Sequence, residues 1–192
     1  MDWLNALVAA ALRLLEHSAD PAAVTVAAIV EEVGCTPPTL YHYWPKRELL
    51  LREASAEGFA AFRRSQEAAA AGVADPLDRI RSRGKAYVEF AMARPSLFRV
   101  LFLDRRLPGR QLAHAEDPGL GLADVIEDVS HAMTGGQLTQ GDPLLVALGL
   151  WAAVHGLAAL WVVSPELPRE LMTAVAARQT DALLKGYASS DR

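Results

Sequence analysis

Apolar residues at Leu4, Leu7, Val8, Ala11, Leu12 and Leu15 recur at helical spacing, so a first helix is predicted over about residues 3–17, stopped by Asp20-Pro21. Thr25 is a good N-cap for a short second helix with Val26, Ile29, Val30 and Val33 inward, and Gly34 supplies the left-handed residue that ends it. Pro37 and Pro38 fit only the first turn of a third helix, whose body is Thr39 to Tyr43 and which Pro45 breaks. A longer helix follows over about residues 47–70, with Leu50, Ala54, Phe59 and Phe62 among its expected buried positions. Asp75-Pro76 opens another with Leu77, Ile80, Gly84, Tyr87, Val88 and Ala91 on one face. A short helix over about residues 96–103 comes next, and residues 104–119, charged and holding two Pro and two Gly, read as an exposed, mobile loop.

The pattern resumes with Leu122, Val125, Ile126, Val129 and Met133, closed by Gly135-Gly136; Asp142-Pro143 then caps a long apolar helix. A last helix over about residues 168–187 places Leu171, Val175, Arg178, Thr180 and Leu183 around an Ala-rich cylinder. No alternation of apolar and polar residues suggests a strand. The expected fold is all-α, about nine helices: a three-helix head over residues 1–48 and a helical body over residues 49–192.

Composition narrows the class. In 192 residues, 52% apolar, there is room for a small head and a larger cored body. A single cysteine, Cys35, gives neither a disulfide nor a metal cluster, and no basic stretch leads into an apolar run at the start, so a cytoplasmic protein without a cofactor is expected. Residues 143–163 have the length to span a bilayer, but the run is rich in Ala and Gly, carries His155 and lacks flanking Lys or Arg. It is read instead as a helix buried inside a helical body, with no membrane partner. The net charge of −4 excludes a protein that coats nucleic acid or acidic membranes without specificity.

The candidate chemistry lies between Gly34 and Trp44. Two short helices joined by a three-residue turn beginning with Gly form the geometry that lays a second helix in a DNA major groove. On that second helix Thr36, Thr39, Tyr41, His42 and Tyr43 can donate hydrogen bonds to phosphates or base edges, and Thr and Tyr offer apolar atoms to thymine methyls. Leu40, Ile29, Val33 and Trp44 fall on the packed face, and Cys35 reads as a buried hydrophobe.

The string Thr25-Val26-x-x-Ile29-x-x-x-x-Gly34-x-Thr36-x-Pro38-Thr39-Leu40-Tyr41-x-Tyr43-Trp44-Pro45-x-Arg47-x-x-Leu50-Leu51 resembles the N-terminal domain of the tetracycline-repressor (TetR) family. The resemblance implies that Thr25 meets a phosphate, that Pro38, Thr39, Tyr41, His42 and Tyr43 face the groove and backbone, and that Arg47 stands where the family has a phosphate-binding Lys. Lys46 is taken with this DNA-binding set. One departure matters: over residues 1–52 six carboxylates (Asp2, Glu16, Asp20, Glu31, Glu32, Glu48) face four cations (Arg13, Lys46, Arg47, Arg52), a net −2. Modest DNA affinity with a shallow salt dependence is expected, through a missing N-terminal arm or weak binding rescued by dimer avidity.

In the body, Gly149, Ala152, Ala153, Gly156 and Ala159 make a stripe of small residues along the apolar helix, and Leu150, Val154, Leu157 and Trp161 a bulky one. The Trp151-x-x-x-His155-Gly156 string and the segment Pro95-Ser-Leu-Phe-Arg-Val-Leu-Phe102 resemble a subgroup of TetR-like regulators. That resemblance implies a homodimer through the last two long helices and a pocket enclosed by the middle ones. His155, one turn from Trp151, would bond an effector in an apolar cavity. The plainer reading, a core histidine bonded to a neighbouring group, is preferred because buried polar groups normally find protein partners. Tyr87, Phe98 and Phe102, with Phe90 and Met92, are core first and pocket lining second. His114 and His131, with Asp117 and Asp128, have no metal-ligand spacing and read as solvated polar residues.

The expected function is a ligand-responsive repressor, a homodimer released from a palindromic double-stranded DNA operator by a small, largely apolar effector. The alternative is a degenerate relative whose body binds a ligand or a protein while its head binds DNA weakly. A small hydrolase is the least supported, since no Gly-x-Ser-x-Gly and no acid pair supply a nucleophile with its base, and the chain is read as no enzyme.

Overall fold

The computed structural model describes residues 2–18, 20–103 and 121–189, and over these the chain is helical, in the order α1 (Trp3–His17), α2 (Val26–Val33), α3 (Pro37–Tyr43), α4 (Arg47–Ala70), α5 (Pro76–Ala93), α6 (Pro95–Phe98), α7 (Leu122–Thr134), α8 (Pro143–Val163) and α9 (Arg169–Gly186). A 3-10 turn (Pro21–Ala23) precedes α2, and α6 continues as a π-helical turn (Arg99–Leu103). Among the described residues the only pairing of extended backbone is a single antiparallel bridge between Leu138 and Ala188. The expected loop, with His114 and Asp117, lies outside the described residues.

Local chemistry explains most boundaries. Asp2 caps α1 by accepting from the Asn5 amide, Thr25 caps α2 at 3.1 Å from the Ala28 amide, and Asp142 caps α8 at 2.9 Å from the Leu144 amide. Each satisfies an N–H with no partner inside its helix.

The chain divides into two compact units. Of the described residues, unit 1 takes 2–18, 20–61 and 93–103. Beyond α1, α2 and α3 it includes the first part of α4 and the α6 segment, which packs on α1. Leu7, Leu15, Ile29, Leu40, Leu50, Phe98 and Leu97 fill its core.

Of the described residues, unit 2 takes 62–92 and 121–189: the end of α4, α5, α7, α8 and α9. The bulky stripe of α8, Leu150, Val154, Leu157 and Trp161, is buried, with α7 and α9 packed on the helix. Its opposite side is an exposed apolar stripe of Leu145, Leu148, Ala152, Gly156, Leu160 and Val163. By length and composition α8 is long and apolar enough to cross a membrane, and 44% of its most apolar window is buried within the chain. On α9 the buried row is Met172, Ala176, Thr180 and Leu184, so of the residues spaced around the cylinder Thr180 is the buried one and Leu171 is exposed.

Two polar side chains sit in unit 2 against the pattern. Asp128, expected in solvent, is buried on α7 and accepts from Arg79 and Arg83 of α5, the latter through Nε at 3.0 Å. Gln66 is buried at the end of α4, its amide nitrogen donating to the Arg83 carbonyl at 3.0 Å and its oxygen accepting from the Tyr87 amide at 3.1 Å.

Candidate DNA-reading helix and body cavity

In unit 1, α2 ends at Gly34 with φ +74°, a left-handed turn that few side chains tolerate. The Gly34 and Cys35 amides both return to the Val30 carbonyl, at 2.9 and 3.0 Å, closing the helix before Thr36 starts the next. The consecutive prolines of α3 occupy its first turn, and Leu40, fully buried, pins the helix against α1 and α2. One side of α3 is thereby fixed.

The other side faces solvent. Thr36, Pro38, Tyr41, His42 and Tyr43 are exposed, with Tyr41 at 49%, while Thr39 is half-buried with its hydroxyl 3.2 Å from that of Thr36. His42 and Tyr43 meet edge to face at 5.0 Å. Trp44 turns inward as expected and donates from Nε1 to Glu53 at 2.7 Å. Cys35 and Val33 are half-buried rather than core. The Thr25 oxygen caps α2, which leaves its hydroxyl proton free to donate outward.

Arg47 is held differently from the phosphate-binding position implied for it. Its guanidinium donates to the Val24 carbonyl at 3.1 Å and the Pro21 carbonyl at 3.5 Å, and lies 3.5 Å from Glu48. It braces the 3-10 turn ahead of α2, and meeting a phosphate would require it to release these carbonyls. Arg13 is likewise engaged, with Glu32 at 2.7 Å. Among the described residues of the head, Lys46 and Arg52 are the exposed cations outside any ion pair, so the unpaired positive charge beside α3 is smaller than the residue count suggests.

In unit 2 the structure brings together three of the five residues expected at a ligand site. The Tyr87 hydroxyl lies 2.8 Å from His155 Nδ1, and the His155 ring stacks on Trp151 with centroids 4.6 Å apart and planes 15° from parallel. Burial pushes the Tyr87 hydroxyl above its ordinary range, with the Trp151 N–H beside it acting in the opposite direction. Burial also lowers His155. A phenol that stays protonated beside an imidazole that stays neutral makes the hydroxyl the donor and Nδ1 the acceptor. His155 is thus bonded to a neighbouring side chain, the plainer of its two readings.

Tyr87 and Trp151 also line an apolar cleft of about 390 Å³, counting its open mouth. Ile80, Val125, Leu150 and Val154 supply its apolar walls, and Gln66, Arg83 and Thr180 its polar ones. Gln66 and Arg83 carried no sequence signal, because long polar side chains on helices ordinarily read as solvated. Phe98 and Phe102 do not line this cleft: their rings lie 4.8 Å apart and tilted by 38° inside unit 1, with Phe59 5.6 Å from Phe102. Their period-correct apolar pattern identified core without identifying which core. His131 is exposed, and among the described residues no group of three His, Cys, Asp or Glu side chains is placed to hold a metal.

Comparison with known proteins bears on both parts. Residues 7–54 match the model for bacterial regulatory proteins of the tetR family, and residues 80–183 the model for the tetracyclin repressor-like C-terminal domain. No curated protein matches the chain significantly. Among solved structures, a protein of unknown function from Rhodococcus sp. RHA1 aligns at TM-score 0.78 and 22% identity over 98% of this chain and 97% of its own. The fatty acid degradation regulator FadR from Bacillus halodurans aligns at 0.73 and 17% over 97% and 96%. RolR, solved in complex with resorcinol, aligns at 0.67 and 16% over 97% and 88%. At these identities the structures establish likeness of fold. The two family models lie on the helix-turn-helix head and on the helical body, and the second covers more than half of the chain: it belongs to the TetR family of DNA-binding transcription regulators.

Proposed function

We propose that the chain is a ligand-responsive repressor that works in the cytoplasm as a homodimer. It binds a palindromic operator through α3 and is released when a small, largely apolar effector occupies unit 2. The observation that carries this reading is the exposed polar face of α3, Thr36, Pro38, Tyr41, His42 and Tyr43, on a helix whose other side is anchored by Leu40. Such a face presents donors to phosphates and base edges without disturbing the fold. The exposed stripe of α8 supports the dimer, because a long apolar helix face left in water favours burial against another copy. An effector acts here only through its differential affinity for dimers with different spacing of the reading helices.

The acidic head favours a second reading, a dimer whose head has lost operator binding. Fluorescence anisotropy with duplexes from the upstream region of the protein's own gene separates the two. Under the first reading Tyr41→Ala weakens binding about tenfold, the loss of one good contact, with unchanged thermal stability. Equal binding of the native protein and Tyr41→Ala favours the second reading.

A further inference from the structure

The cleft in unit 2 has three properties that together define what fits it. Its walls are largely apolar, and it is a narrow slot. Gly84 keeps that slot open: a Cβ there would lie 3.3 Å from Thr180 Oγ1 and 3.4 Å from Val154 Cγ1. Such close walls favour a flat ligand over a bulky branched one.

The cation in the wall is already neutralised. Arg83 gives Nε to Asp128 at 3.0 Å and a terminal nitrogen to Asp124 at 3.3 Å and to the Gln66 carbonyl at 3.3 Å, while Arg79 serves the same Asp128. Two guanidiniums face two carboxylates, and no net positive charge is left to compensate a buried anion.

One donor is unmet. The Trp151 indole N–H is closed to water and lies beside the Tyr87 oxygen without reaching hydrogen-bond geometry, while that hydroxyl is engaged with His155. An indole nitrogen can only donate, and a buried donor without a partner is costly, so a ligand that supplies an acceptor there removes a defect of the empty protein.

Resting on the reading of unit 2 as an effector domain, we propose that this cleft takes a small, flat, uncharged molecule with one hydrogen-bond acceptor, an aromatic ketone or phenol, seated on the Trp151 N–H, and that it rejects carboxylates. Neutrality follows from the closed Arg83–Asp128 network, flatness from the slot, and the acceptor from Trp151.

Three probes matched in size test this on the full-length protein: acetophenone, neutral with an acceptor; benzoate, anionic; and α-methylstyrene, in which a CH2 group replaces the carbonyl oxygen and the trigonal carbon is kept, without an acceptor. Calorimetry is expected to give acetophenone a Kd about tenfold below that of α-methylstyrene, the return on satisfying one buried donor, with benzoate weaker than both. In an amide and indole NMR spectrum the Trp151 N–H, assigned by triple-resonance experiments on the native protein, moves downfield with acetophenone and not with α-methylstyrene. Trp151→Phe brings acetophenone to the affinity of α-methylstyrene. If that variant fails to fold, the indole shift in the native protein decides alone. Benzoate binding as tightly as acetophenone, equal binding of acetophenone and α-methylstyrene, or no binding of any probe overturns the proposal. Operator binding followed in the same samples keeps the two claims apart: acetophenone seated on Trp151 with operator binding unchanged overturns the effector reading and leaves the site standing.

Discussion

Arg47 and Tyr41 stand six positions apart and divide the work of the head. Tyr41 is free to meet a partner, whereas Arg47 holds the carbonyls of Pro21 and Val24. Arg47→Ala therefore lowers the stability of the head, by about 1–3 kcal/mol for charge-assisted hydrogen bonds partly open to solvent, a loss read by urea denaturation. Arg47→Ala with native stability and weakened operator binding would return this side chain to a purely phosphate-binding role. His155 carries a pH dependence. Burial lowers its pKa from 6.5, so as pH falls below that value the unfolded chain takes up a proton that the folded chain refuses. Its contribution is complete above pH 6.5 and lost as pH drops toward the folded value. Thermal midpoints should fall between pH 7 and 5 in the native protein and change less in His155→Gln; parallel profiles would contradict the assignment. Asp75, lowered chiefly by the Gln137 amide and held below 3.8, loses its contribution only in stronger acid.

At the scale of the element, the α5–α7 pair turns on Asp128, with Arg79 and Arg83 both bonded to it. Asp128→Ala removes the buried carboxylate that both guanidiniums share, leaving Arg83 with Asp124 and the Gln66 carbonyl and Arg79 with the Val73 and Ala74 carbonyls, and destabilises the protein by about 3 kcal/mol, measurable as a lowered denaturation midpoint. A change below about 0.5 kcal/mol, the range of ordinary surface substitutions, would mean the network is dispensable. Asp128 also marks the limit of what sequence reveals. Helix boundaries were legible because their signals are local: Thr25, Gly34, Asp75-Pro76 and Asp142-Pro143 act within one turn of themselves. The face of α3 was legible for the same reason. Asp128, Gln66 and Arg83 were not, since their partners lie 17 or more positions away and nothing near them in sequence distinguishes a buried carboxylate from a solvated one. Phe98 and Phe102 fall outside the cleft for a similar reason, because periodicity reports burial and is silent on the neighbour.

For the whole molecule, the exposed stripe of α8 predicts the oligomeric state. Ala152→Glu puts a charge in its middle at a site that is exposed in the single chain, so the protomer should fold normally and elute as a monomer in light-scattering chromatography. A variant that remains dimeric would move the interface elsewhere. Losing the dimer should also cost operator affinity, because two weak heads on one symmetric site gain by effective concentration what each lacks in charge. That compensation is what the acidic head demands: with few unpaired cations, affinity should fall with salt along a shallow slope. The most direct test of the account is a titration of the native protein against a palindromic duplex from the upstream region of its gene and a shuffled duplex of the same composition, at low salt. The account predicts saturable binding by one dimer per palindrome, at least 100-fold tighter than to the shuffled duplex, within the roughly 10³ or greater span ordinary for specific regulators. Equal affinity for both duplexes would contradict it.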